Sequence, residues 1–183
     1  MATDAHWTAV APQGDLPGYS LYDRPIEKAD LDERQYRIIK LNNGLQALLV
    51  HDATTDKAAA SMDVGVGHLS DPDDIPGLAH FCEHLLFLGT KQFPKESEYS
   101  QFIKSNGGST NAYTSTSNTS YFFAVGASHL AGALDRFSGF FHSPLFDPNC
   151  TVRELNAVNS EHKKNAQSDL HRIWQLFKGQ ALP

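Results

Sequence analysis

Gly77-Leu78-Ala79-His80-Phe81-Cys82-Glu83-His84-Leu85-Leu86-Phe87-Leu88-Gly89-Thr90 is an apolar run interrupted by three ionisable residues, His80, Glu83 and His84. Its length and composition predict a helix from about Leu78 to Leu88, stopped at Gly89, a natural C-terminal position for glycine. Residues at i, i+3 and i+4 share one helix face. Two imidazoles and a carboxylate therefore stand side by side on an otherwise greasy helix. Burying three such groups without partners costs on the order of several kcal/mol, so the pattern calls for something that pairs with all three.

Upstream of this helix, Asp71-Pro72-Asp73-Asp74-Ile75-Pro76-Gly77 is a turn-rich loop that delivers the chain into it. Tyr36–Leu41 and Leu45–Val50 read as strands joined by Asn42-Asn43-Gly44, residues that tolerate positive φ in a hairpin. A third strand is expected over Ala58–Val66, where Met62, Val64 and Val66 alternate. Residues 1–34, rich in Pro, Gly and Asp, read as a mostly irregular extension, and residues 35–183 as the domain proper.

Downstream, a second helix is expected over Ser97–Ser105. A polar β-prone segment follows at Ser109–Thr116, then a hydrophobic strand at Thr119–Val125. Together they predict an antiparallel pair with the polar member at an edge. Ser128 reads as the cap of an amphipathic helix whose stripe is Leu130, Leu134, Phe137 and Phe141, broken by Ser143-Pro144 and Asp147-Pro148. Thr151 to about Leu170 reads as one long polar helix, followed by an apolar turn at Ile173–Phe177. The pattern is that of an α+β fold, an antiparallel-rich mixed sheet packed against helices.

The 183 residues suffice for one domain with a real core, and 40% hydrophobic against 20% charged is an ordinary globular balance. A formal net charge of −6 argues against nucleic acid or an anionic membrane as the main partner. No stretch approaches the roughly 20 apolar residues of a membrane span. The two cysteines, Cys82 and Cys150, do not make a disulfide framework. Cys82, inside the apolar helix, reads as a packed, reduced thiol. Met1–Trp7 has neither a basic, apolar signal sequence nor the arginines of a transit peptide. A cytoplasmic location is the expectation, with peroxisome or mitochondrion left open.

A metal ion with an attacking water meets the demand of the opening helix. His-x-x-Glu-His is the inverted zincin order, two histidine ligands around a general-base glutamate. A catalytic zinc takes a third protein ligand and keeps one position open. On the polar helix, Glu154, Val158, Glu161 and Asn165 share a face, with the two glutamates two turns apart. One can ligate and the other can orient a histidine. Glu83, flanked by two ligands, has no duty in a purely structural zinc site.

Gly77–Lys91 is similar to the metal-site helix of the pitrilysin/insulysin metallopeptidases, and Glu154–Asn165 resembles that family's third-ligand helix. Phe93–Phe102 and Leu134–Phe137 bring the likeness nearest to the insulysin-like members and their fungal relatives. The resemblance implies that His80, His84 and Glu161 hold one zinc ion, that Glu83 is the general base, and that Glu154 supports the ligands. It implies that Asn111, Ala112 and Tyr113 lie on an edge strand that pairs with the backbone of an extended peptide, an added-strand mode of binding. The expected function is zinc-dependent endopeptidase chemistry on peptides and small unfolded proteins. The alternative is an inactive fragment or a non-catalytic binding subunit of the same family.

Family members are far longer, with four related α+β domains enclosing a chamber. By that resemblance this chain ends inside the first domain, and its partner would be a missing C-terminal half or a homologous subunit. The 183 residues alone are expected to bind zinc weakly or conditionally and to show little peptidase activity.

Overall fold

The computed structural model describes residues 6–180. Contacts divide the chain into two compact units, Met1–Thr55 and Asp56–Pro183.

The first unit is a four-stranded antiparallel sheet in chain order: β1 (Trp7–Val10), β2 (Tyr19–Tyr22), β3 (Gln35–Leu41) and β4 (Gln46–His51). The β3–β4 hairpin turns where the Asn-Asn-Gly signal lies, with Gly44 at φ 90°. Asn43 Oδ1 accepts from the Leu45 amide at 3.1 Å. Within residues 1–34, expected to be mostly irregular, the short strands β1 and β2 add two strands to the hairpin. Four-residue strands are too short to show alternation, and their stability comes from cross-strand pairs that sequence spacing does not reveal. Trp7 against Tyr22, with ring centroids 5.6 Å apart, is one such pair.

The second unit carries a three-stranded antiparallel sheet in the order β5 (Lys57–Val64), β7 (Thr119–Gly126), β6 (Ser109–Thr114), with five helices. These are α1 (Leu78–Leu86), α2 (Glu98–Ser105), α3 (Leu130–His142), α4 (Pro148–Asn165) and α5 (Asp169–Gln180). The architecture is α+β with antiparallel sheets, as the sequence pattern implied. The central strand β7 sends Tyr121, Phe123 and Val125 into a core completed by Leu86, Tyr99, Ile103, Ala133, Phe137 and Phe140. Aromatic pairs knit it together: Tyr99 with Phe140 at 4.8 Å, Phe87 with Phe140 at 5.1 Å, and Phe123 with Phe137 at 5.2 Å. Each pair adds about 0.5–1.5 kcal/mol beyond area burial. Burial pushes the Tyr99 phenol up to about 12.

Three local expectations change. Val66 lies beyond β5 and is exposed, because the chain turns at Gly67 to pass against the 115–118 turn. A Cβ on Gly67 would meet Ser115 O at 2.5 Å, so only glycine fits there. Ser128 sits in a 3₁₀ turn (Ala127–His129) and caps nothing. The buried stripe of α3 is Ala133, Phe137 and Phe140, and Leu134 is exposed. The long polar helix is two helices. Asp147 caps α4 by accepting from the Asn149 amide at 2.8 Å, and Pro148 occupies its first turn, so Asp147-Pro148 starts a helix as well as ending a loop. Turn hydrogen bonds at residues 166–168 separate α4 from α5.

Candidate metal centre

The apolar face of α1 packs on the core, and its ionisable face looks toward α4 and β6. Asp71 fixes the start of the helix: its carboxylate accepts from the Gly77 amide at 2.7 Å and the Ala79 amide at 2.8 Å. Gly77 itself sits at φ 95°, a left-handed conformation that glycine adopts without strain. A negative group at a helix N-terminus is also favoured by the helix dipole.

One turn in, His80 and His84 aim their Nε2 atoms at each other, 3.1 Å apart, with ring planes at 82°. Glu161 Oε2, from α4, lies 3.9 Å from His80 Nε2 and 3.7 Å from His84 Nε2. The three ligand atoms lie within 4.8 Å of one another. Two turns back along α4, Glu154 Oε1 is 2.7 Å from His84 Nδ1. With Nδ1–H donating to that carboxylate, the His84 Nε2 lone pair is left facing inward. Two ring nitrogens and an anionic oxygen then converge on one point. Nitrogen ligands at about 2.0–2.1 Å from a tetrahedral zinc would stand about 3.3 Å apart. The donor set and its spacing fit that ion with one position left open.

Glu83 is 7% exposed and reaches β6. Its Oε2 accepts a 2.5 Å hydrogen bond from Thr114 Oγ1. Asn111, Ala112 and Tyr113 lie on the same strand, which pairs only with β7 among the described residues and leaves its other edge free. Burial alternates along β6. Thr110, Ala112 and Thr114 turn toward the helices, while Asn111 and Tyr113 are exposed. A cavity of about 780 Å³ opens over the group, lined by His80, Glu83, His84, Asn111, Thr114 and Glu161 among others.

The residues singled out in the sequence thus fall in one place, with Cys82 off the ionisable face and partly packed on the core, its thiol pushed up by burial. His162 is exposed. Thr114 and Asp71 were not singled out. The two-residue alternation of a polar strand beside a buried carboxylate is the signal that points to Thr114. Asp71 stands too far before the helix for ordinary cap spacing. His68 also lines the cavity, and its buried Nε2 has no hydrogen-bond partner among the described residues.

The sequence matches the family model described as Insulinase (Peptidase family M16) over residues 46–182. It is 56% identical over 167 residues to the A-factor-processing enzyme of Saccharomyces cerevisiae, covering 91% of this chain and 16% of that protein. It is 55% identical over 158 residues to the insulin-degrading enzyme of Homo sapiens, covering 86% of this chain and 16% of that one. The crystal structure of pitrilysin superposes with a TM-score of 0.75 at 38% identity, covering 78% of this chain and 15% of that chain. The chain belongs to the insulinase family, peptidase family M16. It spans 16% of the length of these curated relatives. Among the described residues, no helix is long and apolar enough to cross a membrane.

Proposed function

We propose that this chain carries the metal centre of a zinc-dependent endopeptidase. The observation that supports the reading best is the convergence of His80 Nε2, His84 Nε2 and Glu161 Oε2 within 4.8 Å near a buried Glu83. His80, His84 and Glu161 hold one zinc ion. When bound, the ion acidifies a water and polarises a carbonyl oxygen. Glu83 takes the proton of the attacking water and returns it to the amide nitrogen as the peptide bond breaks. Glu154 holds His84 in the tautomer that presents Nε2. Asn111, Ala112 and Tyr113 offer the free edge of β6 to the substrate backbone.

That mode of docking reads main chain more than any one side chain, and it favours peptides and small unfolded proteins that can become extended. Residues 35–183 form part of the metallopeptidase domain and residues 1–34 its extension, with the remainder of the catalytic chamber supplied by further chain or by a homologous subunit. A cytoplasmic location fits the reduced thiols. The intact set of base and ligands speaks against a second reading, a non-catalytic member of the family. Metal analysis with a quenched-peptide cleavage assay, run on this chain and on a version extended to the length of its relatives, tests the proposal. One zinc per chain, and cleavage lost with a chelator and with Glu83→Gln, supports it. Cleavage that survives both overturns it.

A further inference from the structure

We infer that Thr114 is a positioning residue for Glu83, through which the peptide-docking strand orients the general base. The inference rests on the reading of Glu83 as that base. A glutamate has three side-chain torsions, and a base must aim one oxygen to within about 0.5 Å of a productive position. Nothing on α1 itself fixes the Glu83 carboxylate. Among the described residues its hydrogen bond comes from Thr114 Oγ1, at 2.5 Å, in the short range of a hydroxyl donating to a carboxylate.

The hydroxyl is itself committed to this role. Its neighbour Thr119 Oγ1 lies 2.8 Å from the Val66 carbonyl and only 3.4 Å from Thr114 Oγ1, so the Thr119 proton goes to the carbonyl. Thr114 keeps its single proton for Glu83. The backbone of Thr114 is fixed by its pairing with Thr119 in the β6–β7 register. Thr114 follows directly on Asn111, Ala112 and Tyr113, on the strand whose opposite edge is free. One rigid ribbon therefore carries the docking edge and the donor that aims the base. A peptide adding to that edge also holds the donor in place.

Bonding one carboxylate oxygen to Thr114 leaves Oε1 of Glu83 as the oxygen available to the attacking water. Removing the donor lets the carboxylate rotate without touching His80, His84 or Glu161. The cost falls on turnover rather than on metal or substrate binding, on the order of 10- to 100-fold, as for other supporting groups of metal sites.

The test compares Thr114→Val, which keeps shape and loses the hydroxyl, with Thr114→Ser, which keeps the hydroxyl, in the zinc-loaded full chain. The first readout needs no turnover: the side-chain carboxyl ¹³C resonance of Glu83, assigned with Glu83→Gln. It is expected to move and broaden in the Val variant and to return in the Ser variant, with zinc content equal in all. An unmoved resonance in the Val variant, or loss of zinc from it, overturns the inference. The second readout is peptide hydrolysis. A fall in kcat of about 10- to 100-fold with KM within about twofold, rescued by Ser, supports it. A kcat within about twofold of the parent, where Glu83→Gln abolishes turnover, overturns it. Cleavage retained in Glu83→Gln overturns the general-base reading instead, and the Glu83 resonance then decides the Thr114 contact by itself.

Discussion

Helices α1 and α4 face each other across the candidate metal centre and hold their ionisable groups by opposite means. α1 is pinned by its core contacts and by the Asp71 cap, and it buries Glu83 and Leu86. α4 buries no residue at all. Its Glu161 side chain is 46% exposed, and the Arg153–Glu96 pair that tethers it, at 2.6 Å, lies on the surface. Exposed pairs contribute little, about 0–1 kcal/mol. The histidines are therefore aimed by the fold, whereas Glu161 is aimed chiefly by whatever it binds. In the proposed site the ion completes the attachment of α4, because binding energy for a metal that joins two elements is also folding energy.

The sharpest way to break this contrast is through the base. Glu83→Gln is expected to reduce cleavage by about 10²–10⁴-fold while zinc content and the circular dichroism spectrum stay unchanged; a parallel loss of metal would show that Glu83 is part of the scaffold. The next largest effect separates the helices. Glu161→Ala is expected to lower zinc affinity by more than about 100-fold, exceeding the roughly 10–100-fold cost of a supporting residue, yet to shift the stability of the metal-free chain by no more than about 0.5 kcal/mol. Leu86→Ala, on the buried face of α1, is expected to cost about 2–5 kcal/mol without metal present. Thermal unfolding of both variants with zinc removed checks the pair of outcomes. Equal destabilisation would erase the distinction.

The two helices also differ in how far the sequence discloses them. α1 is legible because an apolar run isolates its three ionisable residues, and burial makes each of them demand a partner. α4 is polar on every side, so periodicity says nothing about which face matters. From the residues alone Glu154 and Glu161 were interchangeable, and the resemblance to known metallopeptidases separated their roles. The break at residues 166–168 was invisible because Ala166, Gln167 and Ser168 carry no glycine or proline signal. β1 and β2 were missed because four residues are too few to show an alternation. The Thr114–Glu83 bond joins residues 31 positions apart, and only the fold brings them together.

A smaller effect is expected from Glu154→Gln. The amide can still accept a hydrogen bond from His84 Nδ1 but carries no charge, so zinc affinity should fall by about 10–100-fold; titration of the metal-free chain measures it, and an unchanged affinity would remove Glu154 from the site.

The smallest effect is a pH dependence at the cavity wall. Burial, followed by the positive Lys178, pushes the His68 imidazole below its ordinary value of 6.5, while Asp71 pulls it weakly upward. The folded chain therefore holds His68 neutral and binds fewer protons there than the unfolded chain. The stability this contributes is fully present above about pH 6.5 and is lost as pH falls through the lower folded value. His68→Asn should flatten that acid limb of a urea-unfolding series. An unchanged slope would place the acid sensitivity elsewhere.

The central claim, that α1 and α4 together form a zinc site, is tested most directly by calorimetric titration of zinc into the metal-free chain, side by side with His84→Ala. The account predicts one ion per chain in the parent and none at the same concentrations in the variant. Equal binding by the two, or no binding by the parent, would contradict it.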